Sequence, residues 1–305
     1  MVRIIRFRDQ QAARLAVLTD DEHIYPTGHT GLCEFMAQAR QEGTSPLAYA
    51  NQFVAEGNVL GKALEELELL VPVDTPEVWA AGVTYERSRE ARNYEATAGK
   101  LDATTFYDKV YNADRPEIFF KSTGNRLVGP NEDVCIRSDS RWQVPEPELG
   151  LVIGRDGNVW GYTIGNDMSC RDIEGENPLY LPQAKIWRRS CSIGPAVRLA
   201  ETVSDPYGFQ ITSRIIRNGQ VVTEGTASTK QLKRTFDELV SYLCRDNDIF
   251  DGTVLLTGTC IVPPNEFTLE DGDRVEIDIT GIGRLSNTVR SANAYPDNSI
   301  HKEAI

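Results

Sequence analysis

Tight turns between short apolar segments are the feature that most constrains this fold. Residues 149–167 (LGLVIGRDGNVWGYTIGND) contain two apolar runs on either side of an Asp-Gly pair. Residues 209–225 (FQITSRIIRNGQVVTEG) repeat this arrangement around an Asn-Gly pair. Both pairs accept the positive φ that a tight hairpin turn requires, so the two stretches predict β-hairpins.

Further strands and a single strong helix follow. Residues 252–262 (GTVLLTGTCIV) and 273–283 (DRVEIDITGIG) are predicted strands, and the second alternates apolar and acidic side chains. Residues 228–246 place five apolar side chains on one helical face, with Ser228 or Thr229 as the expected N-cap. Because hairpins dominate, we predict an α+β, β-rich fold with a roll or barrel of strands, not a doubly wound parallel sheet.

The first part of the chain, residues 1–72, predicts a small α+β domain. VRIIRF and RLAVL are expected strands, and residues 32–43, 46–57 and 60–70 are expected helices. The stretch LVPVDTPE interrupts both periodicities and is the expected linker. Residues 73–305 would then form a larger domain, in which we expect the chemistry.

A long polar stretch interrupts the predicted strands. Residues 84–116 carry many charges and scattered aromatic side chains between the apolar runs VWAAGV and EIFFK. Such a stretch is typical of a helical excursion on the surface, and a segment of about 84–115 could also act as a lid over a site. Both interpretations stay open at the level of the sequence.

Charge and composition narrow the classes of function. The net charge of -13 and the pI near 4.8 argue against a nucleic-acid surface. No run approaches the roughly 20 apolar residues of a membrane helix. MVRIIRFRDQ offers no signal-peptide core, so a cytoplasmic protein is expected. Six scattered cysteines without a CxxC pair and only three histidines disfavour a zinc site or a histidine-based triad.

An unusual pair of carboxylates introduces the first hairpin. In VPEPELGLVIG, Glu146 and Glu148 alternate with prolines just before a hydrophobic run. The prolines favour extended backbone and remove two ladder donors, which predicts a strand entrance or edge. Successive strand side chains alternate faces, so both glutamates point the same way, roughly 6.5 to 7 Å apart. The return strand ends at Asp167, which the hairpin could bring beside them.

These three carboxylates predict a metal site. Held together and away from water, they would raise one another's pKa. A divalent cation removes that repulsion, and ligation by oxygen alone suits Mg²⁺, Mn²⁺ or Ca²⁺ better than zinc. The residues by themselves leave a second interpretation open, in which the three acids lie on a solvated rim.

Five motifs in order resemble one family. VPEPELGLVIG, GYTIGNDMSCRDIE, QAKIW, VLLTGT and DGDRVEIDITGIGRLSNTV follow the order and approximate spacing of the fumarylacetoacetate hydrolase superfamily, from about Trp79 to Val289. The resemblance implies a β-rich roll as the C-terminal domain, a small α+β N-terminal domain, and usually a homodimer. It makes Glu146, Glu148 and Asp167 the ligands of the divalent metal.

The resemblance also places cations and a hydroxyl near the substrate. Arg171 and Lys185 match the family's positively charged groups there. Lys121 lies in FFKSTGNRLVGP, which resembles the family's F-x-K-P-x-S-x-L-V-G-P segment. Thr259 is the second threonine of L-T-G-T, which contacts the substrate carboxylate. Roles as ion-pair partners for the cations, and as a packing residue for the threonine, remain open alternatives.

The predicted lid departs from the family's hydrolases. Those enzymes carry G-x-N-Y-x-x-H-x-x-E, whose histidine and glutamate activate water, whereas this chain has Ser88 and Ala91 there. The variant G-V-T-Y-x-x-S-x-x-A-R resembles the 2-keto-3-deoxy-pentonate (arabinonate) dehydratase branch, with Tyr85 and Ser88 expected beside the substrate. Glu86 and Glu90, one helical turn apart, could supply acid or base, or could be solvated helix charges.

The resemblance therefore implies a metal-dependent dehydratase. Its substrate would be a 2-keto-3-deoxy sugar acid, a pentonate, and its product 2-oxoglutarate semialdehyde, formed through a metal-stabilised enolate. Lys185 is the expected base for the C3 proton. Loss of water needs no water nucleophile, so the missing histidine is compatible with this reaction. Two alternatives stay open: a carbon-carbon hydrolase of acylpyruvates or 2,4-diketo-3-deoxy sugar acids, and a non-catalytic metabolite-binding protein.

Overall fold

Strands dominate the computed structural model of the chain, which describes residues 1–97 and 106–295. These ranges contain eighteen strands: β1 (Val2–Asp9), β2 (Ala12–Thr19), β3 (Ile24–Pro26), β4 (Glu68–Leu69), β5 (Glu77–Gly82), β6 (Glu117–Thr123), β7 (Leu127–Val128), β8 (Asp133–Ile136), β9 (Gln143–Val144), β10 (Pro147–Ile153), β11 (Val159–Asp167), β12 (Ser169–Cys170), β13 (Cys191–Leu199), β14 (Gln210–Arg217), β15 (Gln220–Ser228), β16 (Thr253–Thr259), β17 (Arg274–Ile279) and β18 (Gly283–Ser291). The same ranges contain seven α-helices: α1 (Leu32–Gln41), α2 (Pro46–Glu56), α3 (Glu86–Thr97), α4 (Phe106–Asn112), α5 (Arg171–Glu176), α6 (Leu181–Lys185) and α7 (Phe236–Cys244).

The largest sheet is mainly antiparallel. Its strand order is β3-β2-β1-β13-β11-β10-β16-β5-β6, with β4 paired to β1 and β7 paired to β13. β10 lies inside this sheet between β11 and β16, and all of its residues are buried. Because both faces of β10 are covered, its sequence is a continuous apolar run after Glu148 and does not alternate with polar residues.

A second sheet of five strands packs on one face of the first. Its order is β15-β14-β17-β18-β8. The core between the sheets unites Leu149 and Ile164 of the large sheet with Ile211 and Ile277 of the small one, and α7 adds its apolar face. The two predicted hairpins are confirmed as β10–β11 and β14–β15. The expected α+β, β-rich fold is therefore confirmed.

Helices α1 and α2 cover the other face of the large sheet. Phe35 of α1 and Tyr49 of α2 belong to one core with Val152 of β10. Strand β1 pairs with β13, so the N-terminal segment and the later strands share one sheet. The division of the chain into domains 1–72 and 73–305 stays a prediction.

The helix predicted over residues 60–70 is wrong. This stretch contains only a 3-10 turn at Leu64–Glu66, followed by strand β4. β4 pairs with β1, with Leu69 opposite Phe7. A helix of this length is marginal by itself, so hydrogen bonds to a neighbouring strand outweigh the local helical periodicity.

The predicted N-cap of the late helix is also wrong. Ser228 caps a separate 3-10 turn, Thr229–Gln231, while α7 begins at Phe236 with Thr235 as its N-cap. The Thr235 hydroxyl accepts a hydrogen bond from Glu238 N–H at 3.1 Å. Both hydroxyl residues can start a helix, and the sequence pattern does not rank them.

The polar stretch after β5 is helical, as expected, in its described parts. α3 packs against both α4 and α5. Residues 98–105, in the middle of the predicted lid, lie outside the described residues. Over the ranges that the structure describes, no helix combines the length and the apolar character needed to cross a membrane.

Candidate metal centre and active site

Three carboxylates meet at one end of the first hairpin. Glu146 lies just before β10, Glu148 is the second residue of β10, and Asp167 is the last residue of β11. Asp167 N–H donates to the carbonyl oxygen of Glu146 at 3.0 Å. All three side chains are buried, and one oxygen of each lies within 4.8 Å of the other two. The solvated rim is therefore excluded as the environment of these acids.

The prolines and Asn166 define the backbone at this strand entrance. Glu146 N–H donates to Asn166 Oδ1 at 3.2 Å. Pro147 has no N–H to donate, so it suits the first position of β10. The register with β16 shifts between Glu148 and Gly150. The glutamates thus stand at a strand entrance, as predicted, although β10 is an interior strand and not an edge.

Two predicted cations contact these carboxylates directly. Lys185 Nζ donates to Glu146 Oε2 at 2.6 Å, to Asp167 Oδ2 at 3.0 Å and to Ser169 Oγ at 2.6 Å. Arg171 Nη2 lies 2.9 Å from Glu146 Oε1. Both cations are buried, since Lys185 ends α6 and Arg171 begins α5 against the sheet. The structure therefore brings Lys185 and Arg171 together with the triad.

Lys121 also reaches the triad, but from the core side. Its side chain is completely buried, and its Nζ lies 2.5 Å from Asp167 Oδ1. The same ammonium donates to the carbonyl oxygen of Met168 at 2.9 Å and to that of Lys185. An ammonium has three donors, so these three contacts use all of them. The predicted contact of Lys121 with substrate stays a prediction.

Glu146 and Glu148 differ in their electrostatic surroundings. Burial acts to raise the pKa of Glu146, but Lys185 and two nearby arginines outweigh it and lower that pKa below its ordinary value. Burial raises the pKa of Glu148 well above its ordinary value, and the charges of Asp167 and Glu146 raise it further. Gly258 N–H donates to Glu148 Oε2 at 2.6 Å. A buried acid beside two others is an environment that a divalent cation would stabilise.

The donor set fits a hard divalent cation. In the described part of the chain, the group consists of three carboxylates, with neither a thiol nor an imidazole. Three such oxygens leave about three octahedral positions for other ligands. The set therefore suits Mg²⁺, Mn²⁺ or Ca²⁺, as predicted.

The L-T-G-T segment of β16 forms the wall beside Glu148. Gly258 has a φ of +94°, and a Cβ at this position would lie 2.0 Å from Thr84 Oγ1. Thr259 is buried and lies opposite Glu148 in the β10–β16 register. Its hydroxyl donates to Ile261 O at 3.3 Å and accepts from Ile261 N–H at 3.2 Å. Thr259 is thus beside the triad, with its hydroxyl engaged in a local turn.

Tyr85 and Ser88 are buried where the polar helical stretch begins. Burial raises the pKa of the Tyr85 phenol, and the charges of Cys260 and Glu148 add to the effect. Ser88 lies on α3, and Arg92 follows one turn later on the same face. The structure therefore turns this face of α3 inward.

Glu86 and Glu90 lie on the opposite, exposed side of α3. The side chain of Glu86 is 69% exposed and pairs with Arg89 at 3.2 Å. Residues two apart on a helix do not share a face, so the inward position of Ser88 turns both glutamates to solvent. The structure does not bring them to the triad, and their role as acid or base stays a prediction without support from the geometry.

Three charged residues at the site were not predicted from the sequence: Arg92, Glu117 and Glu174. Arg92 and Glu174 are buried, whereas Glu117 is half-buried. Arg92 of α3 forms an ion pair with Glu174 of α5, and Arg92 Nη2 lies 3.8 Å from Glu146 Oε1. Glu117 begins β6, and within the described ranges its buried Oε2 has no hydrogen-bond donor. Burial raises the pKa of Glu117.

One glycine in the sequence, Gly82, could have indicated where the Glu117 side chain lies. Gly82 lies opposite Glu117 in the β5–β6 pairing, and a Cβ at Gly82 would lie 2.1 Å from Glu117 Oε2. Arg92 and Glu174 each close a motif, G-V-T-Y-x-x-S-x-x-A-R and NDMSCRDIE, respectively. Nothing in either motif indicates that the two side chains meet.

Comparison with known sequences agrees with this site. Residues 88–290 match the family described as fumarylacetoacetate (FAA) hydrolase, C-terminal. A probable 2-keto-3-deoxyxylonate dehydratase of Haloferax volcanii is 48% identical over 246 residues, which cover 81% of this chain and 83% of that protein. The 2-dehydro-3-deoxy-D-arabinonate dehydratase of Saccharolobus solfataricus is 47% identical over 227 residues, which cover 74% of this chain and 76% of that protein.

Solved structures lead to the same family. A 2-keto-3-deoxy-D-arabinonate dehydratase, solved in complex with magnesium and 2,5-dioxopentanoate, is 36% identical and superposes with a TM-score of 0.80. The superposition covers 95% of this chain and 99% of that chain. The family match over residues 88–290 spans all five motifs. The chain therefore belongs to the fumarylacetoacetate hydrolase family, as the order of its motifs predicted.

Proposed function

We propose that this protein is a magnesium-dependent dehydratase that converts 2-keto-3-deoxy-pentonates into 2-oxoglutarate semialdehyde and water. The observation that carries this proposal is the buried triad of Glu146, Glu148 and Asp167, with Lys185 bonded to two of its members. Both sequence relatives are named as dehydratases of such acids. The solved relative is complexed with magnesium and with 2,5-dioxopentanoate, another name for the same semialdehyde.

The triad would hold the Mg²⁺ ion. When bound, the ion supplies Lewis-acid stabilisation of the negative charge that develops on the 2-keto oxygen of the substrate. The chain keeps the three carboxylates together through Lys185 and Arg171 on Glu146, and through Gly258 N–H on Glu148. All three carboxylates are at most 3% exposed, which limits their contact with bulk water.

Lys185 is the proposed base. Lys185 is buried at the triad, and in its neutral form the amine can accept the proton from C3 of the substrate and become the ammonium. The electron pair of the broken C3–H bond then forms the double bond between C3 and C4. Because Lys121 contacts both Asp167 and the carbonyl oxygen of Lys185, we propose that it supports these two residues.

Glu117 is the proposed acid. Its raised pKa, which is caused first by burial, favours the protonated form that an acid needs. As the C4–O bond breaks, the leaving hydroxyl takes the proton of Glu117 and departs as water. The C3=C4 enone that forms carries the C5 hydroxyl as an allylic alcohol. A proton shift from C5 to C3 turns it into the enol of the aldehyde, and this enol tautomerises to the semialdehyde. Glu117 thus takes the role that the sequence offered to Glu86 and Glu90, while Tyr85, Ser88 and Thr259 remain proposed substrate contacts.

Product analysis tests the reaction. The purified protein is incubated with Mg²⁺ and a panel of 2-keto-3-deoxy-pentonates and 2,4-diketo acids, and products are identified by mass spectrometry. We expect a pentonate to lose one molecule of water and to yield the semialdehyde. Release of pyruvate from a diketo acid, with no dehydration of any pentonate, would overturn the proposal in favour of a hydrolase.

We further propose that the protein is a homodimer in the cytoplasm. All six cysteines are free thiols, which is usual in a reducing compartment. β15 is the outer strand of the small sheet and exposes Val221 and Val222, a surface that a second chain could cover. Light scattering gives the mass in solution, and a monomer would contradict the dimer. Cell fractionation tests the compartment.

A further inference from the structure

Lys185, the proposed base, donates a hydrogen bond to one group that is not a carboxylate. Its Nζ lies 2.6 Å from Ser169 Oγ, in addition to its bonds to Glu146 Oε2 at 2.6 Å and Asp167 Oδ2 at 3.0 Å. These bonds use the three donors of an ammonium group. Among the described residues, Ser169 is thus the one hydrogen-bond acceptor of Lys185 Nζ that lies outside the triad.

The Ser169 hydroxyl is oriented to accept from Lys185. It donates its own proton to the carbonyl oxygen of Asp167 at 3.0 Å. A hydroxyl has one donor and two lone pairs, so an oxygen whose proton is already used presents only lone pairs to Lys185. The Ser169 side chain is fully buried, so bulk water does not compete for these lone pairs.

Backbone contacts set the position of the Ser169 hydroxyl. Ser169 begins β12 and pairs with Val144 of β9, two residues before Glu146. On the other side of the triad, the bond to the carbonyl oxygen of Asp167 fixes the direction of the hydroxyl. Ser169 Oγ is therefore held in place by groups other than Lys185.

The partners of Lys185 differ in what metal binding would do to them. Glu146 and Asp167 belong to the predicted ligand set, so the Lys185 amine and a divalent cation would compete for their oxygens. Ser169 lies outside that set, so its hydrogen bond to Lys185 stays available in the metal-bound protein. A base must also be held in an accurate orientation to accept a proton from carbon.

We propose that Ser169 is a positioning residue that holds the Lys185 amine in place for proton transfer from C3 of the substrate. This inference rests on the proposed function, in which Lys185 is the base. Ser169 acts through Lys185, so its loss should matter only while Lys185 is present. Ser169 is not a metal ligand, so its loss should leave the affinity for Mg²⁺ unchanged.

Steady-state kinetics of Ser169→Ala on a pentonate tests the first expectation. We expect kcat to fall about 20-fold, which is typical for loss of a hydrogen bond to a charged group. KM should stay within about twofold of the wild-type value, because the interaction serves the proton transfer and not the binding of substrate. Ser169→Thr keeps the hydroxyl and should retain most of the wild-type kcat.

A double-variant cycle separates positioning of the base from a general structural role. In the background of Lys185→Met, Ser169→Ala should lower kcat by less than about twofold, because residues that act as a unit are not additive. A merely structural residue would lower kcat by the same factor in both backgrounds. With substrate deuterated at C3, the isotope effect on kcat in Ser169→Ala should be at least as large as in the wild type.

A matched control is Ser192, another fully buried serine, whose hydroxyl donates to Asn287 Oδ1 at 2.7 Å. Ser192→Ala should lower the Tm measured by circular dichroism but leave kcat unchanged. Calorimetric titration with MgCl₂ should give the same Kd in Ser169→Ala as in the wild type. If Ser169→Ala does not fold, Ser169→Cys replaces the hydroxyl with a weak acceptor and should lower kcat in the same direction.

Several results would overturn the role of Ser169 and leave the proposed function standing. These are an unchanged kcat in folded Ser169→Ala, an equal loss with and without Lys185, and a smaller isotope effect than in the wild type. A Kd for Mg²⁺ that rises in parallel with the loss of kcat would assign Ser169 to the metal site instead. A wild-type protein that dehydrates no pentonate would overturn the proposed function itself.

Discussion

The strand end that carries the triad and the helix α3 that faces it contribute to the same site in different ways. At the end of β10 and β11, the three carboxylates of the triad lie where the sequence pattern predicts them, because strand residues alternate faces and an Asp-Gly turn fixes the pairing. On α3, the inward residues are Ser88 and Arg92, while Glu86 and Glu90 face solvent. The alternation of side chains along a strand thus predicts which residues meet at the triad, whereas the helical periodicity of α3 does not predict which of its residues face inward.

The inner face of α3 could not be predicted because this helix buries polar side chains, whereas β10 buries apolar ones. α3 is polar throughout, with Glu, Arg, Ser, Asn and Tyr over most of its length, so no apolar stripe indicates its inner face. The inner face of α3 carries Arg92, which contacts two buried acidic residues that are distant in the sequence, Glu174 and Glu146. The comparison therefore predicts large effects for substitutions at the strand end and small ones on the outer face of α3.

The largest effect is expected for Asp167→Asn. This change removes one charge of the triad and the partner of both Lys121 and Lys185. Because Lewis-acid stabilisation by a metal ion is worth several kcal/mol, turnover should fall by about 10⁴-fold and calorimetric Mg²⁺ binding should disappear. Asp237→Asn on the exposed side of α7 is the matched control. Full activity after rigorous treatment with EDTA would contradict the metal site.

Lys185→Met should have the next largest effect. The change removes the proposed base and keeps a side chain of similar length, so turnover should fall by about 10³-fold, within the usual range for general acid–base catalysis. Steady-state kinetics on a pentonate measures the effect, and Lys230→Met, at an exposed position, is the control. Turnover within a few fold of the wild type would show that Lys185 is not the base.

Glu117→Gln should reduce turnover by about 10²-fold. An amide of the same shape cannot donate an acidic proton to the leaving hydroxyl. Substrates with a better leaving group at C4 should lose less activity, and comparison of the two substrates in the variant measures this difference. If both substrates lost the same factor, Glu117 would have a structural role and not that of the acid.

Gly82→Ala should produce a fall of about tenfold in turnover. The new Cβ would lie 2.1 Å from Glu117 Oε2, which real contacts do not allow, so the carboxylate must move. Gly61→Ala is the control, because a Cβ at Gly61 meets no atom within 4 Å. An unchanged turnover in Gly82→Ala would show that the position of Glu117 is not critical.

Much of the fold and the centre of the site could be predicted from the sequence. The two β-hairpins could be predicted from the Asp-Gly pair and the Asn-Gly pair at their turns. The triad could be predicted because Glu146 and Glu148 point to the same side of the strand and the hairpin is long enough to bring Asp167 beside them. The two wrong predictions concern places where the local sequence fits more than one structure. Residues 60–70 carry a helical pattern that pairing with β1 overrides, and Thr235 caps α7 in preference to Ser228.

The missed residues share a physical cause. Arg92 and Glu174 are buried charges that come from different elements, and Glu117 is a half-buried acid whose Oε2 is buried, so no local periodicity marks the three as inward. Burial of a charge is favourable only with a partner or a shifted pKa, and the sequence does not show which distant residue supplies it. Gly82 was a usable clue, since it leaves room for Glu117, but its meaning depends on the β5–β6 pairing.

The smallest effect is expected for the outer face of α3. Glu86→Gln and Glu90→Gln should change turnover by less than about twofold, because both side chains are exposed and Glu86 pairs only with the neighbouring Arg89 among the described residues. Ser88→Ala, on the inner face of the same helix, should lower turnover more than either glutamine variant does, so it serves as a control within α3. Steady-state kinetics of the three variants on one pentonate makes the comparison. A loss of a hundredfold or more in Glu86→Gln or Glu90→Gln would mean that α3 presents this face to the substrate during turnover, and the distinction between its two faces would fail.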